Sequence, residues 1–346
     1  MSTQPSASPG TTDTASAATF AADVRKGLCE RPRRVSPRYL YDDLGSSLFE
    51  AICRLPWYPI TRAEKGLLAT HAAAIVHAAG RPLTIVELGC GTGEKLEIVV
   101  DAFGPAVPDL HVVLIDVSAM ALERSARLLR TRGVGEVVSC RATYEAGLAQ
   151  AASAWPGAGG RLVLFLGSNI GNLEPDEAAA FLGSIRGALR GGDHLLLGAD
   201  LVKPAGVLEQ AYDDPLGVTA AFNRNLLVRM NRELGADFDI EGFSHSARWN
   251  AGAGRMEMHL VSRGRQVVRV PAADATVAFE AGESIWTESS YKYTPAGITA
   301  LCRRSGFEAR EMWIDSDAGF SLCLLGVQMN AEGGRRTAEG GGNGRP

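Results

Sequence analysis

Short apolar runs alternate with longer amphipathic segments from residue 61 to residue 201 of this 346-residue chain. The apolar runs predict strands at 83–89, 111–118, 136–144, 161–168 and 194–201. The longer segments predict helices at 61–80, 94–104, 119–133 and 176–192. Buried strands that alternate with helices of this length are typical of βαβ units and a parallel sheet. The pattern therefore predicts an α/β fold.

The alternation breaks after Asp200 and returns near the C-terminal end. A long helix is predicted at 218–234, followed by alternating segments at 243–250 and 255–270 that favour antiparallel strands. A helix at 294–307 and strands at 308–315 and 319–328 then resume the first pattern. We therefore expect an α/β sheet interrupted by an insertion.

These changes suggest two lobes between two tails. We expect the sheet domain at 61–202 plus 287–330, and a smaller α+β lobe at 20–60 plus 203–286 that faces the substrate. The first 19 residues are rich in Ser, Thr, Ala and Pro, and residues 331–346 are rich in Gly, so we expect both to be disordered.

Composition and charge exclude several classes of function. No stretch approaches the roughly 18–20 apolar residues of a membrane span, and the first residues lack the features of a secretory signal. A net charge of −4 argues against a nucleic-acid partner. The six cysteines form no CxxC and no metal-binding spacing with His, which is typical of reduced thiols. We expect a cytoplasmic, monomeric protein without a metal.

A glycine-rich turn follows the strand at 83–89. Its pattern is acidic-x-G-x-G-x-G, formed by Glu87, Gly89, Gly91 and Gly93. A dinucleotide fingerprint requires glycine at position 94, where this chain has Glu94, so a dehydrogenase is disfavoured. Asp116 ends the next strand, where a carboxylate can accept both hydroxyls of a ribose. The spacing instead predicts binding of S-adenosylmethionine (SAM).

Longer motifs resemble one family of SAM-dependent enzymes. They are YLYDDLGSSLF (39–49), LPWYPITRAE (55–64), FLGSNIGNL (165–173), GADLVK (198–203), AYDDPLGVTAAFNRNLL (211–227) and TESSYKY (287–293). Together they resemble the histidine-specific SAM-dependent methyltransferases, across roughly residues 20–328. The resemblance implies a Rossmann-like class I methyltransferase fold. It also implies three methylations of the α-amine of L-histidine, giving hercynine for ergothioneine biosynthesis.

The resemblance also assigns site residues. For histidine it implies Tyr41, Phe49, Tyr58, Asn172, Tyr212, Met258, Glu288 and Ser290, with Tyr41, Asn172 and Tyr212 nearest the reacting amine. For SAM it adds Lys95, Thr143, Tyr144 and Gly167 to the glycine turn and Asp116. The family often has Asp-Phe where this chain has Thr143-Tyr144. Glu288 and Ser290 would pair with the two imidazole nitrogens, which favours histidine over tryptophan or tyrosine.

Two alternatives remain open from the sequence. The enzyme could methylate the α-amine of another amino acid, such as a tryptophan derivative. The chain could also be a regulatory protein that binds SAM without turnover.

Overall fold

The computed structural model describes residues 11–81, 83–154 and 159–327. The α-helices of these ranges are α1 (Thr11–Cys29), α2 (Asp43–Ile52), α3 (Ile60–Ala78), α4 (Glu94–Asp101), α5 (Ala119–Thr131), α6 (Tyr144–Ala154), α7 (Pro175–Ala188), α8 (Ala205–Tyr212), α9 (Val218–Leu234) and α10 (Pro295–Arg304). The strands are β1 (Thr84–Leu88), β2 (His111–Asp116), β3 (Glu136–Arg141), β4 (Arg161–Phe165), β5 (His194–Asp200), β6 (Phe243–Asn250), β7 (Arg255–Ser262), β8 (Gln266–Val270), β9 (Ala275–Phe279), β10 (Ser284–Tyr291), β11 (Phe307–Asp315) and β12 (Phe320–Val327).

A seven-stranded sheet with the order β11-β12-β5-β4-β1-β2-β3 forms the centre of the protein. Strands β1 to β5 run parallel, while β12 runs antiparallel to both β5 and β11. Every residue of β1 and β4 is buried, which explains why apolar residues occupy both faces of these strands rather than alternating with polar ones. The predicted α/β fold is confirmed.

The strand order also locates a ligand crevice. Strand β1 pairs with β2 on one side and with β4 on the other. The strand order therefore extends from β1 through β2 to β3 on one side and resumes with β4 on the opposite side of β1. In open α/β sheets, ligands bind beyond the carboxyl ends of the strands at such a point. The glycine turn of residues 89–93 directly follows β1 and therefore lies at this crevice.

Two smaller sheets form the inserted region. One is three-stranded, in the order β10-β7-β6, and the other pairs β8 with β9. Because β10 pairs antiparallel with β7, residues 284–291 lie in the small sheet, and the chain returns to the large sheet only at α10. The sequence had placed that return at residue 287. Apolar side chains from both regions join in one core cluster, which includes Phe20, Phe222 and Leu324.

The N-terminal region differs from the sequence expectation. Helix α1 begins at Thr11, inside the segment 1–19 that was expected to be disordered. Alanine favours helix, and Phe20, Val24 and Leu28 recur at helical spacing and are buried. The segment is therefore helical because one stripe of its second half is packed. The tail predicted at 331–346 lies outside the described residues. Within the described ranges, no helix is long and apolar enough to cross a membrane.

Candidate active site

The glycine turn after β1 has a backbone that other residues rarely adopt. Gly91 and Gly93 have φ of 49° and 77°, in the left-handed region that favours glycine. A Cβ on Gly93 would lie 2.9 Å from the Oγ of Ser125, whereas a Cβ on Gly91 would meet open space. The Ser125 hydroxyl donates to the carbonyl of Gly91 at 3.2 Å and holds the turn from α5. The turn therefore leaves room on the crevice side at Gly91.

Two carboxylates border this turn. Glu87 is buried near the end of β1, and its Oε2 has no hydrogen-bond partner among the described residues. Burial raises the pKa of Glu87 to about 8, against the opposing charge of Lys95. Asp116 accepts hydrogen bonds from the backbone N–H of Ser118 at 2.9 Å and of Gly91 at 3.3 Å. Acceptors of this kind suit the amino and ribose hydroxyl groups of SAM, so the residues fit this cofactor.

A buried ion pair joins the loops around the crevice. The ammonium of Lys95, on the first turn of α4, lies 2.7 Å from the carboxylate of Glu64, which is fully buried on α3. The same carboxylate accepts the backbone N–H of Gly167 at 2.8 Å. Gly167 has φ of 78°, and a Cβ there would lie 3.2 Å from the Lys95 nitrogen. Lys95 and Gly167, both predicted to bind SAM, are therefore held together through Glu64.

Thr143 and Tyr144 lie at the start of α6. The exposed Thr143 accepts the N–H of Ala146 at 3.4 Å and so caps this helix. The ring of Tyr144 packs edge-on against Phe165, with centroids 5.4 Å apart. Its hydroxyl would lie 2.9 Å from a Cβ on Gly89. Tyr144 therefore reaches the glycine turn, while Thr143 has a capping role.

A cavity that opens to solvent adjoins this crevice; the space within it, including its open mouth, amounts to about 470 Å³. All eight residues that the sequence assigned to histidine line it, together with Gly167. They come from α2 and the position two residues before it, the turn before α3, the 3₁₀ helix Asn169–Asn172, α8, β7 and β10. The structure thus brings together side chains that are far apart in sequence.

One wall of the cavity is aromatic. Tyr41 and Phe49 meet edge-on with centroids 5.5 Å apart, and Phe222 lies 5.5 Å from Tyr41 and 5.9 Å from Phe49. Tyr58 continues the wall, 6.3 Å from both Phe49 and Tyr212. Burial raises the pKa of Tyr41 and Tyr58 well above the usual value, so both phenols stay neutral. Aromatic faces of this kind attract organic cations.

A hydrogen-bonded network forms the polar end. The hydroxyl of Tyr212 donates to Ser290 Oγ at 2.8 Å. The ammonium of Lys292 donates to Tyr212 at 2.8 Å and to Ser290 at 2.9 Å, and lies 3.0 Å from Asp200. Burial raises the pKa of Tyr212, and the nearby charge of Lys292 opposes this. Two predicted substrate residues therefore share one buried cation.

Glu288 points into the same cavity from β10. It is only 7% exposed, and its carboxylate makes no hydrogen bond to any of the described residues. Burial raises the pKa of Glu288 to about 7, against the opposing charge of Lys292. Met258 pairs with Glu288 across β7 and β10 and is also buried. A carboxylate left without a partner beside an apolar wall is suited to receive an N–H of a ligand.

The 3₁₀ helix Asn169–Asn172 places two amides beside the cavity. It packs on β10, and a Cβ on Gly171 would lie 2.7 Å from the backbone oxygen of Tyr291. Ser168, just before it, has φ of 58° and accepts the N–H of Asp200 at 2.9 Å. These contacts hold the 3₁₀ helix, and with it Asn172, against the small sheet.

The aromatic residues are positioned by polar contacts around them. Asp42 caps α2 by accepting the N–H of Gly45 at 2.8 Å, and its Oδ1 also accepts Asn225 of α9 at 2.7 Å. This joins the helix that carries Phe49 to the helix that carries Phe222. Arg62 donates to the carbonyl of Leu55 at 2.6 Å and closes the turn that holds Tyr58.

Sequence reasoning missed four residues that belong to this site. Phe222, Thr219 and Asn169 line the cavity, and Lys292 lies behind it. The hydroxyl of Thr219 is buried without a partner among the described residues. All four residues lie inside the motifs quoted above, so the motifs could have indicated them. Within each motif, however, nothing in the sequence distinguished these positions from their neighbours. In the described ranges, no cluster of His, Cys, Asp and Glu is placed to hold a metal.

Comparison with known proteins gives consistent matches. The profile of a family described as histidine-specific, SAM-dependent methyltransferases matches residues 20–327. The histidine N-alpha-methyltransferase of Mycobacterium tuberculosis is 44% identical over 303 residues, which cover 87% of this chain and 93% of that protein. The protein of the same name from Mycolicibacterium smegmatis matches with the same identity and coverage. Ergothioneine biosynthesis protein 1 of Schizosaccharomyces pombe is 26% identical, covering 84% of this chain and 39% of that protein.

These matches confirm the resemblance drawn from the motifs, and with it SAM as the cofactor and methyl transfer as the activity. The family profile covers almost all of the described residues, including both the large sheet and the inserted region. This chain therefore belongs to the histidine-specific, SAM-dependent methyltransferase family.

Proposed function

We propose that the protein transfers three methyl groups from SAM to the α-amine of L-histidine, giving hercynine, as a step of ergothioneine biosynthesis. The observation that carries this proposal is the cavity beside the glycine turn. It unites a buried free carboxylate, a donor hydroxyl and an aromatic wall. The names of the relatives from the two mycobacterial species and from Schizosaccharomyces pombe support the same substrate and pathway.

Glu288 and Ser290 are proposed to hold the imidazole ring. The carboxylate accepts the ring N–H, and the hydroxyl donates to the other ring nitrogen. Met258 packs against the ring as a polarizable apolar wall. An indole or phenol would leave the Glu288 carboxylate without a full set of partners, and buried unpaired charges are costly. This arrangement supports histidine over the aromatic amino acids.

Asn172 and Tyr212 are proposed to hold the α-carboxylate and the amine, so that the amine faces the crevice at the glycine turn. Holding two reacting groups in line supplies a large part of the rate of such a reaction. SAM supplies the electrophilic methyl group when bound, held by Glu87, Asp116 and the turn, with Lys95, Thr143, Tyr144 and Gly167 around it.

No strong base is required in this scheme. A sheltered site disfavours the charged ammonium form of the substrate amine. Tyr41 lines the cavity, and its hydroxyl is proposed to pass on the proton of the amine. After the third transfer the product carries a quaternary ammonium, which the faces of Tyr41 and Phe49 accommodate. The aromatic wall is thus proposed to contact both the amine of histidine and the trimethylammonium group of the final product.

We further propose that residues 20–60 and the insertion that ends with β10 form the substrate lobe. We also propose that the enzyme acts as a monomer in the cytoplasm. The six cysteines are all free thiols, as is usual in a reducing compartment.

Mass spectrometry of L-histidine incubated with the protein and SAM tests the proposal. The expected result is mono-, di- and trimethylated histidine, with trimethylhistidine accumulating at the end. A panel of free amino acids that includes tryptophan is the comparison. Turnover of another amino acid without conversion of histidine would replace the substrate. SAM binding without any product would indicate a regulatory protein.

A further inference from the structure

Lys292 is a buried cation behind the cavity, and the binding of histidine proposed above gives it no role. The side chain of Lys292 is fully buried, and its ammonium has three partners: Tyr212, Ser290 and Asp200. Burial alone lowers the pKa of Lys292, but the carboxylate of Asp200 and the hydroxyl of Tyr212 outweigh it and raise the pKa overall. Lys292 is therefore charged, and each of its three protons has an acceptor.

The hydrogen bonds of this network restrict what Ser290 can offer a ligand. A hydroxyl has one proton to donate and two lone pairs that accept. Ser290 Oγ accepts from Lys292 at 2.9 Å and from Tyr212 at 2.8 Å, which uses both lone pairs. Its own proton is not used by either contact, and Ser290 lines the cavity. Ser290 is thus left as a donor toward the cavity.

A ring nitrogen opposite this hydroxyl must therefore be an acceptor. In neutral imidazole, one nitrogen carries a proton and the other accepts, whereas in imidazolium both nitrogens donate. Glu288 satisfies the N–H of the neutral ring. An imidazolium would direct its second N–H at the proton of Ser290, close to the positive charge of Lys292.

Several other ionisable groups surround this position. Glu288 of β10 and Tyr212 of α8 face the cavity, as do the neutral phenols Tyr41 and Tyr58. Behind them, Asp200 at the end of β5 is shared by Lys292 at 3.0 Å and Lys203 at 2.6 Å. The elements α9 and the 3₁₀ helix contribute Thr219, Phe222, Asn169 and Asn172, none of which titrates in this range.

We propose that Lys292 is a positioning residue that fixes Ser290 as a hydrogen-bond donor, so that the site takes histidine with an unprotonated imidazole ring. This rests on the proposed function, since it concerns the ring of the same substrate. Lys292 touches no substrate atom in this scheme and acts through Ser290 and Tyr212.

The test compares two substrates at two pH values. Histidine is assayed beside triazolylalanine, an analogue whose less basic ring stays unprotonated in this range. The ratio of their kcat/KM values cancels the titration of Glu288 and of the α-amine, which are common to both. With an imidazole pKa of about 6.5, the ratio for the unaltered enzyme should fall about tenfold from about pH 7.5 to about pH 5.5.

Lys292→Met should remove most of this fall, because Ser290 then keeps a lone pair that can accept an N–H. The ratio should change less than about twofold over the same range. Lys203→Met is the matched control: it removes the other cation on Asp200 but no contact with Ser290, and the tenfold fall should persist. Asp200 retains one lysine in each variant, and titration with SAM checks that each variant is folded.

Ser290→Ala provides a second test if Lys292→Met does not fold. It removes the donor itself and leaves the pair of Lys292 and Asp200 intact, so the fall in the ratio should again be lost. The inference is overturned if the ratio for the unaltered enzyme is flat, or if both variants keep its tenfold fall. Absence of any methylated histidine from the unaltered enzyme would instead refute the proposed function.

Discussion

Replacing Glu288 by glutamine should stabilise the fold at alkaline pH while impairing the site. Burial raises the pKa of this carboxyl from 4.5 to about 7. Between those values the folded protein binds a proton that the unfolded chain has released, so stability falls as the pH rises from 4.5 through 7. Above about pH 7, Glu288 is charged in both the folded and the unfolded protein. The folded protein then bears the full free-energy cost of burying the charged carboxylate.

The size of the effect follows from the difference in pKa. Each pKa unit corresponds to about 1.4 kcal/mol, so the cost of the charged side chain is about 3 kcal/mol above pH about 7. Glutamine has nearly the same shape and no charge. The gain in unfolding free energy of Glu288→Gln over the original protein should therefore be about 3 kcal/mol larger at pH about 8.5 than at pH about 4.

Urea unfolding without ligands, followed by tryptophan fluorescence at both pH values, measures this difference. Glu257→Gln is a control of opposite sign on the neighbouring strand. Burial raises the pKa of Glu257, but hydrogen bonds from Asn250 and Arg255 outweigh it and lower the pKa overall. Its replacement should therefore destabilise the protein above the pKa of the unfolded carboxyl. A pH-independent difference for Glu288→Gln would refute the reasoning.

Three further changes test the two halves of the site. Glu288→Ala should raise the KM for histidine by about tenfold to a hundredfold, since a hydrogen bond to a charged group contributes about 1.5–3 kcal/mol. The same variant should accept aromatic amino acids more readily. Unchanged histidine kinetics would show that Glu288 does not bind the substrate. Gly93→Ala should weaken SAM binding in calorimetry, because a Cβ there strains the backbone and meets Ser125 at 2.9 Å; Gly187→Ala, in open space on α7, should leave it unchanged. The affinity for SAM should fall as the pH is lowered through about 8, because Glu87 then takes up a proton. Glu87→Gln should bind SAM weakly at every pH, with little pH dependence. If the affinity of the variant changed with pH as much as that of the original protein, this explanation would be wrong.

The large sheet was predictable because each of its central strands is buried on both faces. Such strands carry apolar residues on both faces, and the helices between them are long enough to be recognised. Helix α9 matches the predicted range 218–234 for a related reason, since its buried positions recur at helical spacing. Helix α1 was missed because its first half has the composition of a tail, and only its contacts with the rest of the protein show its packed face.

Strand β10 was not recognised as part of the small sheet because polar residues occupy buried positions in and just after it. Glu288 and Ser290 of β10 are buried, as is Lys292 just after it, although the ordinary pattern of a strand places apolar residues inside. Local rules of this kind are broken most often where a site is built. The motif match identified Glu288 and Ser290. Lys292 escaped notice because lysine is rarely buried without a partner, and its partner Asp200 belongs to a different sheet.

Tyr212 shows how the two regions of the protein act on one side chain. Its hydroxyl is held by Lys292, and its backbone oxygen accepts a hydrogen bond from His245 Nε2 at 2.8 Å. The other ring nitrogen of His245 lies 2.9 Å from the amide nitrogen of Asn223, which can only donate. His245 must therefore be neutral with its proton on Nε2, in agreement with burial, which lowers its pKa. The last residue of α8 is thus fixed at both ends, from β6 and from the residue after β10. Because the rate of an in-line transfer depends on orientation, the proposed role of Tyr212 implies that this network supports catalysis without contacting the reacting atoms.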